Sequence, residues 1–357
     1  MLKKFLIIFL SSLFLSGCSN IKTEKKVINF SSWGSVTETT ILKKIISDFE
    51  KENSDIKINF IHIPENYFQK LHLLFASNTE PDVIFINNLY LPIYKSYLMD
   101  LSEMIDKNVF YKQALEGVSY DGKIYAYPRD VSNLVLYVNR DAIKKIPPNW
   151  SLENLLDILQ KQKCIKYGIG TEEDLFWIMP YLTYYGEIFD ENFSSKNSKA
   201  LSFYKNLKHK YKVSPTKSQV GSSTLAQMFI DEKLAIYMAG RWMYPKIQEK
   251  ATFNWSIESF PQGENNLPCD TSGWAISKNT KLLNDSIRFA EYLSSEKSLK
   301  YFTQSGLIVP ARITTSHMLE NDNHNEKMFL TVLKNSKSLK IPKNYKKMVD
   351  KFNKENF

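Results

Sequence analysis

The chain has 357 residues, a formal net charge of +9, 43% hydrophobic residues and 24% charged residues. This composition is typical of a globular protein, and because single hydrophobic cores stop growing near about 250–300 residues, the length predicts two lobes. A basic chain can bind nucleic acid, but only five of its basic residues are arginine and the charge is spread along the chain. We therefore expect no nucleic-acid partner.

The N-terminus has the pattern of an export signal. Met1–Lys4 is basic, an apolar run of eleven residues follows, and Leu15–Cys18 resembles a bacterial lipobox. The apolar run is too short to cross a hydrocarbon core of about 30 Å. We predict a lipoprotein signal peptide at 1–17, lipidation of Cys18, a tether at 18–26 and an extracytoplasmic, membrane-anchored protein in the periplasm or at the cell surface. The alternative is an ordinary secretory signal with a chance cysteine.

Strand-like and helix-like segments then alternate. Hydrophobic spacing predicts strands at 27–33, 56–61 and 81–86, and helices at 39–53 and 67–76. This β-α-β-α-β order predicts parallel pairing in an α/β sheet. Because such sheets bind ligands at the carboxyl ends of their strands, the order indicates candidate positions at Trp33, Gly34, Ser35, Asn87, Asn88 and Tyr90.

The middle of the chain holds two strand-like halves, 123–127 and 134–138, on either side of Pro128. Proline removes a backbone donor and fixes φ, so we expect the ladder to break there. We expect the chain to cross between the lobes at this point.

The second half repeats the α/β character without repeating the sequence. We predict helices at 151–162, with Ser151 as N-cap and Asn154 at the third position, and an aromatic helix at 175–185. Further helices are predicted at 198–211, 222–231, 285–294, 327–334 and 345–352, and strands at 234–238, 253–260 and 273–277.

Six motifs stand in one consistent order between 48 and 312. They are DFEKEN at 48–53, PDVI at 81–84, DGKIYAYP at 121–128, LYVNRD at 136–141, EKLAIYM at 232–238 and VPAR at 309–312. Together they resemble the extracellular solute-binding proteins of ABC transporters, family 1, the carbohydrate-binding group.

The resemblance implies a type II periplasmic-binding-protein fold, with two α/β lobes joined by a multi-crossover hinge. Lobe 1 is expected at 27–131 and 273–309, and lobe 2 at 132–272 and 310–357. It further implies a monomeric sugar-binding protein that works with an ABC permease. No cofactor, no metal and no enzyme activity are expected.

Sugars present flat C–H faces and a rim of hydroxyls, which suit aromatic platforms with a few polar groups. Trp242, after Gly240, matches a stacking position of the family, and Asp130 can serve the hinge instead of the ligand. The candidate ligand-binding residues are Trp33, Gly34, Ser35, Glu38, Asn87, Asn88, Asp130, Trp177, Trp242, Trp274 and Arg312.

Two alternatives for the solute remain open. A phosphorylated polyol such as glycerol phosphate would need arginines, and Arg129, Arg241 and Arg312 are candidates. The adjacent Tyr184 and Tyr185 are a weaker indication of iron, because no histidine stands at ligand spacing.

Other questions stay open as well. A secreted glycosidase would use two carboxylates, such as Asp121 with Asp130 or Asp82 with Glu38, yet the chain has no GxSxG, HExxH or P-loop motif. Cysteines 164 and 269 can form a disulfide or remain two thiols.

Overall fold

The computed structural model describes residues 25–264, 266–339 and 341–357. The strands are β1 (Lys26–Ser32), β2 (Ile56–His62), β3 (Val83–Asn87), β4 (Ser119–Tyr120), β5 (Lys123–Ile124), β6 (Ala126–Asn133), β7 (Val135–Asn139), β8 (Tyr167–Gly170), β9 (Leu234–Ala239), β10 (Trp255–Glu258), β11 (Leu267–Ile276) and β12 (Ser336–Ser338). The α-helices are α1 (Val36–Glu52), α2 (Tyr67–Ala76), α3 (Leu91–Tyr94), α4 (Lys112–Gly117), α5 (Leu152–Lys161), α6 (Leu175–Tyr184), α7 (Lys199–His209), α8 (Lys217–Val220), α9 (Leu225–Ile230), α10 (Tyr244–Lys250), α11 (Leu283–Leu293), α12 (Glu296–Gln304), α13 (Ile313–Ser316), α14 (His324–Lys334) and α15 (Tyr345–Asn356). The predicted signal peptide and Cys18 lie outside the described residues, and β1 begins at the last residue of the predicted tether.

One sheet, which we assign to lobe 1, is built from distant parts of the chain. Its strand order is β12-β11-β3-β1-β2, and β6 also pairs with β11. Strand β1 pairs in parallel with β2 and β3, as the β-α-β-α-β order predicts. Alternate residues of β1, Ile28 and Phe30, are fully buried, because one face of the strand packs on the core. Phe30 contacts Phe289 of α11 edge to face, with the ring centroids 5.3 Å apart.

A second sheet, which we assign to lobe 2, has the order β10-β7-β9-β8. Strand β7 is antiparallel to both neighbours, and β8 runs parallel to β9. The continuous run Val135–Val138 is fully buried, as expected for a strand covered on both faces. Helix α5 begins with the predicted capping box, in which Ser151 and Asn154 bond each other's backbone N–H groups at 3.2 and 3.0 Å.

The break predicted at Pro128 is confirmed for the ladder but not for the strand, because β6 continues through the proline to Asn133. The register with β11 shifts between Ser272 and Gly273, opposite Pro128. At that irregularity the missing N–H of proline interrupts no regular ladder bond. A Cβ on Gly273 would lie 2.5 Å from the carbonyl oxygen of Tyr127, so the close approach of the two strands requires glycine.

The segment that returns near Pro310 runs along β6. The Val131 N–H donates to the Val309 carbonyl, and the Ala311 N–H donates to the Arg129 carbonyl, both at 3.0 Å. Strand β12 pairs with the first residues of β11, so the lobe 1 sheet includes residues from the stretch assigned to lobe 2. The lobe boundaries given by the sequence stay predictions.

Two further findings concern cysteines and membrane spans. Cys164 is exposed, Cys269 is buried, and both are free thiols, which decides between the alternatives left open by the sequence. Burial raises the pKa of the Cys269 thiol.

In the part of the chain that the structure describes, no helix is both long enough and apolar enough to cross a bilayer.

Candidate functional site

The floor of the candidate site is formed by the crossing strands β6 and β11. Asp130 lies opposite Ser272, and Ser132 lies opposite Asp270. Because residues opposite each other in an antiparallel pair share a face, as do residues two apart on one strand, these four side chains share one face of the sheet. The Ser272 hydroxyl donates to the Asp130 carboxylate at 2.8 Å. The floor is therefore a polar surface made of hydroxyls and carboxyls.

The lobe 1 wall begins where β1 passes into α1. Trp33 is 46% exposed and rests edge-on against Phe85, with the ring centroids 5.9 Å apart. Ser35 and Glu38 form a capping box at the start of α1. Gly34 has a φ of +143°, and a Cβ there would lie 2.9 Å from the Glu38 Cβ, so both conformation and space favour glycine. This turn leaves one face of the Trp33 ring open to solvent.

A buried ion pair stands behind this wall. Arg129 Nη2 donates to Glu38 Oε1 at 2.8 Å, and Arg129 Nε lies 3.5 Å from Asp130 Oδ2. The guanidinium packs over the Phe302 ring at 4.5 Å. Although burial favours the neutral acid, the Arg129 charge and the hydrogen bonds from Ser35 and Arg129 hold the pKa of Glu38 below its ordinary value. Glu38 is thus an ionised partner of Arg129.

The same wall continues after β3. Asn87 Oδ1 accepts the N–H of Tyr90 at 3.1 Å, which makes Asn87 a turn residue. Asn88 is 3% exposed, and neither polar atom of its side chain forms a hydrogen bond to a described residue. Asn88 also lines a cavity of about 500 Å³ beside Gly117 and Ser338.

Tyr90 faces lobe 2 from this wall. Its ring stacks on Phe68, with centroids 3.7 Å apart and an interplanar angle of 9°. Burial raises the pKa of Tyr90. The charges of Asp350 and Asp174 raise it further, whereas the charge of Lys346 lowers it. Tyr90 thus lies within the electrostatic range of charges on α15 and at the start of α6.

Aromatic rings also line the lobe 2 wall. Trp242 is 37% exposed, and its ring centroid lies 6.4 Å from that of Phe176. Phe176 in turn contacts Trp177 edge to face at 5.6 Å. A Cβ on Gly240 would overlap the Trp242 ring, so glycine is what lets the indole lie against the backbone. Phe176 thus lies against both predicted residues, Trp177 and Trp242.

The residue between Gly240 and Trp242 is a buried arginine. Arg241 is 1% exposed, its Nη1 donates to the carbonyls of Thr303 and Ile308, and its Nη2 donates to Glu326 at 2.6 Å. Because Thr303 belongs to α12, Arg241 fastens the base of the lobe 2 wall to lobe 1 and to the crossover near Pro310.

Two predicted site residues lie elsewhere. Trp274 is fully buried against Phe30 and Phe85 in the lobe 1 core, so the expectation that it offers a ring face to a solute is wrong. Arg312 donates to the Ser294 carbonyl at 3.2 Å and covers the Phe110 ring at 5.1 Å. This side chain fastens α13 to its neighbours, and the described residues give it no contact with the walls named above.

The sequence prediction missed Asp270. It precedes the strand predicted at 273–277, whereas β11 begins at Leu267. Burial raises the pKa of Asp270 to about 7, and the Asp130 carboxyl adds to the shift. A charged residue three positions before the predicted strand was the only signal for this floor residue.

Two carboxylates that the glycosidase alternative would require, Asp82 and Asp121, are engaged in other interactions. Asp82 accepts the Asn29 N–H and the Thr280 hydroxyl, at 2.8 and 2.6 Å, and Asp121 pairs with Lys95. Each carboxylate pair considered for a glycosidase thus has one member that is held by a neighbouring group. Within residues 25–264, 266–339 and 341–357, no group of three or more His, Cys, Asp or Glu is placed to hold a metal ion.

Two α/β lobes, with aromatic rings on both walls and a polar floor on the crossing strands, define a two-lobed solute-binding protein. Residues 44–322 match the model of the bacterial extracellular solute-binding protein family. The chain belongs to this family, which confirms the membership predicted from the six motifs. The family also confirms the predicted extracytoplasmic location.

Known proteins resemble the chain over most of its length. The maltodextrin-binding protein MdxE of Bacillus subtilis (strain 168) is 26% identical over 348 residues, which cover 87% of this chain and 80% of the relative. An ABC substrate-binding protein from Listeria monocytogenes, solved in complex with cycloalternan, has a TM-score of 0.82 at 22% identity over 93% of both chains. The GacH receptor of Streptomyces glaucescens, solved without ligand and with acarbose, has a TM-score of 0.81 at 20% identity over 93% of this chain and 92% of its own. These likenesses confirm the predicted type II fold.

Proposed function

We propose that this protein captures a sugar or oligosaccharide between its lobes and delivers it to an ABC permease. The observation that carries the proposal is the pair of solvent-exposed indoles, Trp33 on one wall and Trp242 on the other. Exposed tryptophan faces are suited to the C–H faces of sugar rings, and isolated exposed rings of this size are costly to leave in water. Contacts to both walls exist only when the lobes are close, so the solute favours closure.

The polar floor supports the same proposal. Asp130, Ser132, Asp270 and Ser272 offer acceptors and donors on one face of the crossing strands, which is what a solute rich in hydroxyls needs. The relatives support it as well, since one is named for maltodextrin and two solved neighbours hold cycloalternan and acarbose.

The phosphorylated-polyol alternative is weaker because its arginines are occupied. Arg129 pairs with Glu38, Arg241 pairs with Glu326, and Arg312 donates to a backbone carbonyl. A phosphate would have to displace one of these partners, at the cost of a buried unpaired carboxylate in two of the three cases.

The proposal includes the way the protein is displayed. We infer a monomer, lipid-anchored through Cys18, that binds its solute without chemical turnover. The lipobox pattern at Leu15–Cys18 supports the anchor, and the engagement of the candidate catalytic carboxylates in other interactions supports binding without hydrolysis.

Thermal unfolding in the presence of candidate solutes tests the function. We expect maltodextrins or related oligosaccharides at millimolar concentration to raise the melting temperature by several degrees, since a ligand at 100 times its Kd stabilises by about 2.7 kcal/mol. Glycerol phosphate and simple polyols serve as comparison ligands. Chromatography of the recovered sugar should show it unchanged.

Three outcomes would contradict the proposal in different ways. No shift with any sugar would remove carbohydrate capture, and a shift with glycerol phosphate alone would favour the phosphorylated solute. Shortened sugar chains in the recovered sample would indicate an enzyme instead of a carrier.

A further inference from the structure

We propose that Asp270 binds the captured solute directly, and that it does so in its protonated form as a hydrogen-bond donor. This inference rests on the function proposed above. Asp270 stands at the centre of the floor, on the same face as Asp130, and it is partly accessible.

Geometry leaves Asp270 with unused hydrogen-bonding capacity. Its Oδ1 accepts the N–H of Thr271 at 3.1 Å, and among the described residues it takes part in no ion pair. The buried amide of Asn88 lies beside it and lowers its pKa, yet neither polar atom of that amide completes a hydrogen bond of ordinary geometry. Because buried polar groups in folded proteins are normally paired, an unsatisfied amide beside a carboxyl whose second oxygen has no partner among the described residues indicates the place of a polar ligand.

The charges around the floor explain why Asp270 keeps its proton. Arg129 bonds Glu38 at 2.8 Å and lies 3.5 Å from Asp130. Its guanidinium therefore already serves two carboxyls, and among the described residues Asp270 forms no ion pair. Burial raises the pKa of Asp130 as well as that of Asp270, which lies at about 7. Because the Asp130 carboxylate raises the pKa of Asp270, the two neighbouring acids titrate as a coupled pair.

The other charged groups around Asp270 form no ion pair with it among the described residues. Burial raises the pKa of the Tyr345 phenol on α15, and Asp270 and Asp174, the latter at the start of α6, both raise it further. Burial also raises the pKa of the adjacent Cys269 thiol, and Glu116 of α4 adds to that shift. Lys337 lies opposite Pro268 on β12, but its side chain is exposed. Lys346 of α15, which follows Tyr345, forms an ion pair with Asp350, so among the described residues no cation is paired with Asp270.

The donor and acceptor pattern defines the class of solute group. A protonated Asp270 donates, Asp130 accepts, and the Asn88 amide does both. This set matches two adjacent hydroxyls of a neutral sugar, each of which is at once donor and acceptor. An anionic group at the same place would meet carboxyls on both strands and is disfavoured.

Affinity measured against pH tests the assignment. For the sugar with the largest thermal shift, we expect the Kd of the native protein to rise about five- to tenfold between pH 6 and pH 8.5, as Asp270 ionises. Asp270→Asn keeps a donor at the same position and cannot ionise, so its Kd should stay within about threefold of the acid value across the range. The fully exposed Asp322→Asn serves as the matched control, with the native pH dependence expected.

Stability provides a second readout. The folded-state pKa of Asp270 is raised to about 7, so this residue's contribution to stability is lost as pH rises from the ordinary carboxyl pKa up to about 7. The Asp270→Asn variant should therefore melt higher than the native protein at pH 8.5, and the difference should shrink as the pH is lowered through 7 and 5 towards about 4.

A native Kd that does not change with pH, or an Asp270→Asn variant that keeps the full pH dependence, would overturn the role of Asp270 while leaving sugar capture intact. Absence of sugar binding at every pH would overturn both proposals.

Discussion

Replacing Trp242 by alanine is expected to weaken solute binding about 10- to 100-fold, or about 1.4–2.7 kcal/mol. The indole is 37% exposed on the lobe 2 wall, and aromatic platforms of this size dominate the energetics of sites that they line. Its loss from a partly exposed position should change the melting temperature by only about 2–3 °C. Calorimetric titration of the variant with the preferred sugar measures the effect.

A second variant tests whether affinity depends on the position of the Trp242 ring as well as on its presence. Gly240→Ala retains Trp242 but places a methyl group where the ring lies, so a loss of affinity of about tenfold is expected from displacement alone. Phe357→Ala removes an exposed aromatic residue at the C-terminus and should leave affinity unchanged. Native affinity in the Trp242→Ala variant would remove that residue from the site.

The Arg241→Met variant is expected to lose about 3–5 kcal/mol of unfolding free energy, because it leaves the buried Glu326 carboxylate without its partner. Arg241 also donates to the carbonyls of Thr303 and Ile308, and these acceptors lose their donor as well. Denaturant unfolding, followed by tryptophan fluorescence, measures the change.

Two comparisons make the Arg241 prediction specific. Arg288→Met removes an ion pair with Asp285 whose arginine is half-exposed, and exposed pairs contribute only about 0–1 kcal/mol. The double variant Arg241→Met with Glu326→Leu should recover part of the loss, since no charge is left buried. A single variant as stable as the native protein would show that Arg241 does not fasten the lobes together.

The hydrophobic pattern was sufficient to predict most of the fold. The apolar residues of α1 recur at helical spacing, and Ile45, Ile46 and Phe49 are buried as that spacing predicts. Strand β8 was not predicted, because two of its four residues are glycine, which weakens strand propensity. It forms because β9 provides a parallel partner at Leu234 and Ile236, a contact that no local pattern contains. Helix α12 was missed for a similar reason, since only Leu299 and Phe302 are large buried hydrophobic residues in it.

The candidate site was less predictable from the sequence, because its residues meet through strand register. Trp274 seemed to stand at a strand end, but β11 begins at Leu267 and places that ring deep in the core. The longer strand brings Asp270 opposite Ser132 on the floor. Because β11 begins a few residues earlier than predicted, Trp274 lies in the core and Asp270 takes its expected place in the site. Trp33 was predictable because it follows β1 directly, and Glu38 because it lies in the first turn of the helix that comes next.

The irregularity opposite Pro128 has a mechanical consequence. A regular ladder resists torsion through each of its hydrogen bonds, whereas the bulge between Ser272 and Gly273 interrupts the ladder between the two crossing strands. The axis about which the lobes rotate should therefore pass close to Asp130 and Ser272, beside the polar floor. A solute bound there lies close to the rotation axis. A small rotation of the lobes therefore moves the outer edges of the cleft much further than it moves the solute.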